Sequence, residues 1–400
     1  MLDNYRTRRI VIITIIVLIA LLLAYAFYRL IASRGRGLVP GASPQAPVSG
    51  PVGQNIFALE TPILPQVTPL LSPTAGLAQK IQEQTLLALT DFSVVSPIIA
   101  KSQDKVLLYK KDGGSIYQVD FAANKEKTSN ITIVGLTEAL WSPARDRAAV
   151  FYIDGEVLKS FLHTGTSSVL SLPRDIKSFA WSPDAKQFAY LIQTTGEGVS
   201  LIISDASGKT TKEVFQTPIL DAQIQWISPD KIAFQTAPSG HAEGYVFIYS
   251  LKTGTFRRFL GPLYGLTTLW SPDATHLLVS ATDAGGGNLT LSLYDSAATK
   301  LEHLDFLTIT EKCTWFSAKE FYCAVPNAFP DAAVMPDDYL RGEIATQDRI
   351  LSFALDTSNT ALIFSGGAMD IANLAVTAKK DYLIFVNKTD GIPWRLKLAQ

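Results

Sequence analysis

A chain of 400 residues is longer than one ordinary domain needs, and with 47% apolar against 18% charged residues it reads as globular rather than disordered. The formal net charge is −1, with Lys and Arg spread thinly, so no basic patch points to a nucleic-acid partner. Two cysteines are too few for a disulfide scaffold.

Residues 1–9 form a short tail with Arg6, Arg8 and Arg9. Ile10–Tyr28 then runs nineteen residues without a charge, enough to cross roughly 30 Å of hydrocarbon as a helix, so residues 10–31 are expected to be a single-pass membrane anchor. Arg29, Arg34 and Arg36 follow the span, and the flanking positive charges nearly balance. The short tail before it and the large domain after it place the tail in the cytoplasm and the domain outside. Ala24-Tyr25-Ala26 has the form of a signal-peptide cleavage site, but the apolar stretch exceeds the usual ~7–15 residues, which favours an uncleaved anchor. Residues 32–79 read as a linker. Gly37–Ala78 holds eight prolines and a single charge, Glu60, so it is expected to be an extended, semi-rigid tether.

Beyond the linker the chain repeats. Trp141, Trp181, Trp226, Trp270 and Trp315 open "WSPARDRAAVFY", "WSPDAKQFAYLI", "WISPDKIAFQT", "WSPDATHLLVSA" and "WFSAKEFYCAV". Degenerate copies start at Ile99 and Val376, and the six intervals between the seven anchors are 42, 40, 45, 44, 45 and 61 residues. In each unit an apolar strand ends at the Trp and Ser-Pro-Asp makes a tight turn, with Asp184, Asp230 and Asp273 able to hydrogen-bond the backbone two residues on. Three further strands follow. Four strands per unit and a period near 43 predict an all-β domain over residues 80–400, a seven-bladed β-propeller of four-stranded antiparallel blades, with six or eight blades left open. The last unit stops one strand short, and "TLLALTD" at Thr85–Asp91 can supply that strand and remove an exposed edge.

The Trp-Ser-Pro-Asp phrases resemble the WD-repeat-like propeller repeats of TolB-type bacterial proteins, over more than three quarters of the chain. Ala185 and Ala274 stand where that family has Gly. The resemblance implies a bacterial, membrane-anchored, monomeric propeller.

Signatures of chemistry are sparse. No Gly-x-Ser-x-Gly elbow or glycine-rich phosphate loop occurs, and His163, His241, His276 and His303 are spread over three units without metal spacing, so neither metal nor cofactor is implied. "SDASGKT" at Ser204–Thr210 and "DAGGGN" at Asp283–Asn288 read best as turns. The sixth interval carries some sixteen extra residues in Val325–Asp348, and long loops also occur at Gln235–Gly244 and Thr282–Asn288. All three connect second to third strands, so they thicken one sector of one rim, where function concentrates in propellers. His241, Asp283, Asn288, Asp331, Asp337, Asp338, Tyr339 and Arg341 are the binding candidates. The absence of reactive motifs favours a non-catalytic module that binds an envelope protein or polymer. The alternative is an extracytoplasmic enzyme or glycan sensor with its site at the channel mouth. Cys313 and Cys323 flank a turn symmetrically, so they are expected to face each other across two strands, as a candidate disulfide outside the membrane or as two small buried hydrophobes.

Overall fold

Strands rich in β-branched and aromatic residues alternate with Gly-, Asp- and Ser-containing turns throughout the computed structural model, which describes residues 86–398 apart from 165–167, 194–195 and 197. The expected tail, anchor and linker lie outside the described residues. Among the described residues no helix is long and apolar enough to cross a membrane. The described residues belong to one compact unit, Leu71–Gln400.

The protein is all-β, built mostly of four-stranded antiparallel sheets in the propeller manner. Five sheets have four strands, and a sixth has seven because Phe256–Trp270 runs through from one repeat into the next. Within each sheet the strands follow chain order, beginning with a first strand such as Leu136–Trp141, Ile176–Trp181 or Gln223–Ser228. The last sheet completes its strand order out of sequence. Leu86–Ala88 pairs antiparallel with Ile392–Lys397, Leu86 opposite Leu396 and Ala88 opposite Trp394, so the edge that Ile392–Lys397 would expose is covered.

Apolar clusters form between consecutive repeats rather than in one central mass. One joins Leu191 and Leu201 of the third repeat to Trp226 and Phe234 of the fourth. Another joins Leu108 and Val119 of the first repeat to Ile384 and Val386 of the last, which closes the ring. Burying apolar surface at ~25 cal/mol per Å² makes these seams the main source of stability.

The repeated pentapeptide now has a physical reading. Trp181 Nε1 donates to the Leu140 carbonyl at 2.8 Å, Trp141 Nε1 to that of Ser96 at 2.8 Å and Trp315 Nε1 to that of Leu269 at 3.1 Å. Each of these indoles thus ties its repeat to the first strand of the preceding one. The Ser182 hydroxyl accepts from Gln187 N at 2.9 Å and donates to Asp184 at 2.7 Å, closing the turn. The residue four after the anchor is left-handed in five repeats: Gln103, Arg145, Ala185, Ala274 and Lys380 have φ of 63°, 60°, 58°, 56° and 54°. That conformation favours glycine, so the alanines at 185 and 274 carry strain.

Candidate functional site

First strands line the channel of a propeller, so the repeat phase selects residues that face one another across it. Three residues before each anchor stands a polar side chain: Ser96, Glu138, Ser178, Gln223, Thr267, Lys312 and Asn373. The small hydroxyls latch repeats together. Ser96 Oγ accepts from Ala139 N at 3.0 Å, Ser178 Oγ from Ile224 N at 2.9 Å, and Thr267 Oγ1 from Thr310 N at 3.2 Å. Glu138 and Gln223, longer and in alternate repeats, are exposed instead. Only alignment of the units at the anchors could have found these residues, because no two lie close in sequence.

The three long loops do pack together. Asp337 accepts from Ser239 Oγ at 3.0 Å and Gly240 N at 2.7 Å, while Gly285 N donates to the Gly240 carbonyl at 2.7 Å and Met335 N to that of Gly286 at 3.0 Å. A Cβ at Gly240 would lie 2.5 Å from Gly286 Cα, so the loops meet backbone to backbone. Asp338 accepts from Val334 N at 2.7 Å and pairs with Arg341 at 2.6 Å, and Arg341 also pairs with Glu343 at 2.8 Å. Asn288 donates to Asp283 within its own turn. Asp337 and Asp338 therefore hold the rim together, whereas His241 and Asp331 are exposed.

Tyr339 lies elsewhere. A short helix, Asp337–Leu340, turns it inward to a buried polar network. Lys312, itself 1% exposed, has its Nζ 2.8 Å from Asp348, 2.7 Å from Asp370, 2.9 Å from Tyr339 Oη and 3.1 Å from Thr346. Tyr339 donates to Asp370 at 2.9 Å, and Lys388 Nζ sits 3.6 Å from the centre of its ring. Burial pushes the Asp348 carboxyl up despite Lys312. Burial also pushes Asp370 upward, but Lys312, Tyr339 and Thr346 outweigh it and hold that carboxyl below its ordinary range. The network joins the insertion to the first strand of the sixth repeat and to the last repeat. It clamps the wall from behind.

One 3-10 turn, Thr310–Lys312, presents three successive side chains to three surroundings. Thr310 bonds Thr267 at 2.7 Å, Lys312 enters the buried network, and Glu311 between them is exposed to solvent. Protein nevertheless hems Glu311 in closely, and this desolvation raises its carboxyl pKa against the pull of the Thr267 and Thr310 hydroxyls. Glu138 is raised in the same way, by enclosure alone. Two contiguous cavities of about 650 and 400 Å³ adjoin Glu138, sharing Leu140, Phe179, Ile224 and Gln225. Pockets of this size suit small ligands.

In the first hairpin of the sixth repeat, Cys313 and Cys323 are opposite in register with Cα atoms 4.0 Å apart, and their sulfurs are bonded.

No protein family's sequence profile matches the chain, and no curated protein matches it. Solved structures do. An oligogalacturonate lyase in complex with manganese is 11% identical, with a TM-score of 0.58, over 79% of this chain and 93% of that one. An oligogalacturonate lyase from Vibrio parahaemolyticus is 10% identical, with a TM-score of 0.56, over 79% and 94%. The β-propeller domain of the trilobed protease from Pyrococcus furiosus is 14% identical, with a TM-score of 0.52, over 78% and 97%. At these identities the likeness establishes the propeller fold and no particular propeller family.

The same structures correct the expectation of a non-catalytic module and non-enzyme. That expectation rested on missing local motifs, yet this fold carries lyases. A site assembled from first strands of different repeats would leave no contiguous signature, so missing motifs are no ground for excluding catalysis in this fold. The manganese of the first lyase has no matching donor set here, since no three His, Cys, Asp or Glu side chains among the described residues are grouped to hold a metal ion.

Proposed function

We propose that the chain is a propeller enzyme that cleaves a cell-envelope polymer at the channel mouth by acid–base catalysis, with Glu311 as the group that moves the proton. Counting Phe256–Trp270 in two blades gives seven blades around the site. Residues 10–31 anchor it to the membrane, and the propeller works on the extracytoplasmic side. The placement of Glu311 carries the reading: a solvent-reachable carboxyl, enclosed by protein, on a turn locked at both neighbours. A carboxyl raised toward neutrality can hold a proton for a leaving group or, once ionised, take one from a substrate carbon. Thr267 and Thr310 orient it, and the Lys312 network stiffens the turn.

The test uses the full-length chain in detergent against a panel of envelope and plant-wall polysaccharides. Reducing-end release detects cleavage, and ultraviolet absorbance of an unsaturated product separates elimination from hydrolysis. Glu311→Gln should lower turnover by ~10²–10⁴-fold, the usual contribution of a general acid or base. Unchanged turnover in that variant rules Glu311 out.

A further inference from the structure

The wall of the channel across the second, third and fourth repeats holds polar side chains that bond no other described residue. Glu138, Lys177, Gln223 and Gln225 are all exposed, and all line the 400 Å³ cavity. Among the described residues none of the four makes a side-chain hydrogen bond or ion pair. The contrast with their neighbours is informative. At the ring position three before the anchor, Ser96, Ser178 and Thr267 are engaged by backbone N–H groups of the next repeat, whereas Glu138 and Gln223 project past that latch. Gln225 stands two residues after Gln223, so on an extended strand it faces the same side. Water serves these exposed groups in the free chain, and a hydroxylated ligand in the cavity can take its place.

We infer that this wall is a binding subsite for a neutral carbohydrate chain, with Glu138, Gln223 and Gln225 bonding sugar hydroxyls over an apolar floor of Leu140, Phe179 and Ile224. Each glutamine amide offers two donors and an acceptor, and an ionised Glu138 accepts from two adjacent hydroxyls. A pyranose matches this pattern, with a hydroxylated edge and an apolar C–H face. A uronic acid chain matches it less well, because Lys177 is the only cation against Glu138 at this wall. The inference rests on the proposed site at the same channel mouth, and it names the class of substrate.

Titration calorimetry on the full-length chain in detergent tests it, with cellotriose, xylotriose and chitotriose as neutral probes and trigalacturonate and a tripeptide as contrasts. At least one neutral trisaccharide should bind. Glu138→Ala combined with Gln225→Ala should weaken it at least ~10-fold, as loss of two or more hydrogen bonds implies. Glu138→Gln, which keeps shape, should retain part of the affinity, and thermal melts verify that each variant is folded. If the native chain binds a neutral trisaccharide but releases no product from any polymer, the proposed catalysis falls and the subsite stands. The subsite is overturned if no neutral trisaccharide binds, if only trigalacturonate or the tripeptide binds, or if the double variant binds as tightly as the native chain.

Discussion

Replacing Lys312 by Met removes the only cation among the described residues that bonds two carboxylates that are 0% and 1% exposed. Methionine fills similar volume, so the loss is electrostatic rather than a cavity. Breaking a buried ion pair by removing one partner costs ~3–5 kcal/mol, because the remaining charge is left uncompensated. For a unit of this size roughly 2 °C of Tm follows each kcal/mol, so the expected drop is about 6–10 °C at neutral pH. The pH dependence separates this cause from generic damage. In the native chain the Asp370 carboxyl is held below its ordinary range. It therefore contributes stability above its unfolded pKa that is lost as pH falls through the folded one. In the variant both carboxyls lose the ammonium, and burial then meets only the weaker pull of the remaining hydrogen bonds from Tyr339, Thr346 and Ile371 N, so their folded pKa values rise above the unfolded values. Their folded state then binds more protons, and stability rises as pH falls. Melting curves by circular dichroism from pH 8 to 5 should show the gap between variant and native chain narrowing toward acid. A gap that is constant or widens toward acid would refute the electrostatic account, and an unchanged Tm at pH 8 would refute the network's structural role.

Ala185→Gly and Ala274→Gly should each raise stability by about 0.5 kcal/mol: left-handed backbone costs an alanine ~1–2 kcal/mol, and glycine returns ~0.4–1 of that through the unfolded chain. A fall in the urea midpoint for both would contradict this. Deleting Leu86–Asp91 exposes the strand edge at Ile392–Lys397 and should lower Tm far more than deleting Pro40–Pro73; equal shifts would remove the clasp's role. Mass spectrometry of unreduced native protein should find Cys313 and Cys323 blocked to alkylation, and two free thiols would count against both the bond and an extracytoplasmic compartment. If Glu311 acts as a base, kcat/KM should rise with pH through an apparent pKa above the ordinary ~4.3 of glutamate, because enclosure raises it; a profile flat from pH 4 to 8 would exclude that role.

The architecture was legible because its causes are local and recur. An anchor Trp, a Ser-Pro-Asp turn and alternating apolar strands return at a steady period, and each copy constrains its own sheet. The missing strand at the C-terminus and its replacement from Thr85–Asp91 followed from counting. The crowding of three long loops into one sector followed from loop length alone. What those loops do inside the sector did not. Asp337 and Asp338 read as rim carboxylates, but backbone N–H groups and Arg341 claim them. Tyr339 read as a rim residue, yet one turn of helix buries it against Lys312 and Asp370.

Sequence by itself determined which segments form strands, how they repeat and where the ring closes, since strand periodicity and turn chemistry act within a few residues. Tertiary structure decided which polar side chains share a space. Glu138 and Gln223 come from different repeats yet line one cavity, and nothing in their own neighbourhoods distinguishes them from surface residues. Only closure of the ring brings the first strands around one channel, where surrounding protein raises the carboxyls of Glu138 and Glu311. Desolvation is a property of the assembled environment, so the raised carboxyls of Glu138 and Glu311 follow from the packing of the repeats rather than from any single one.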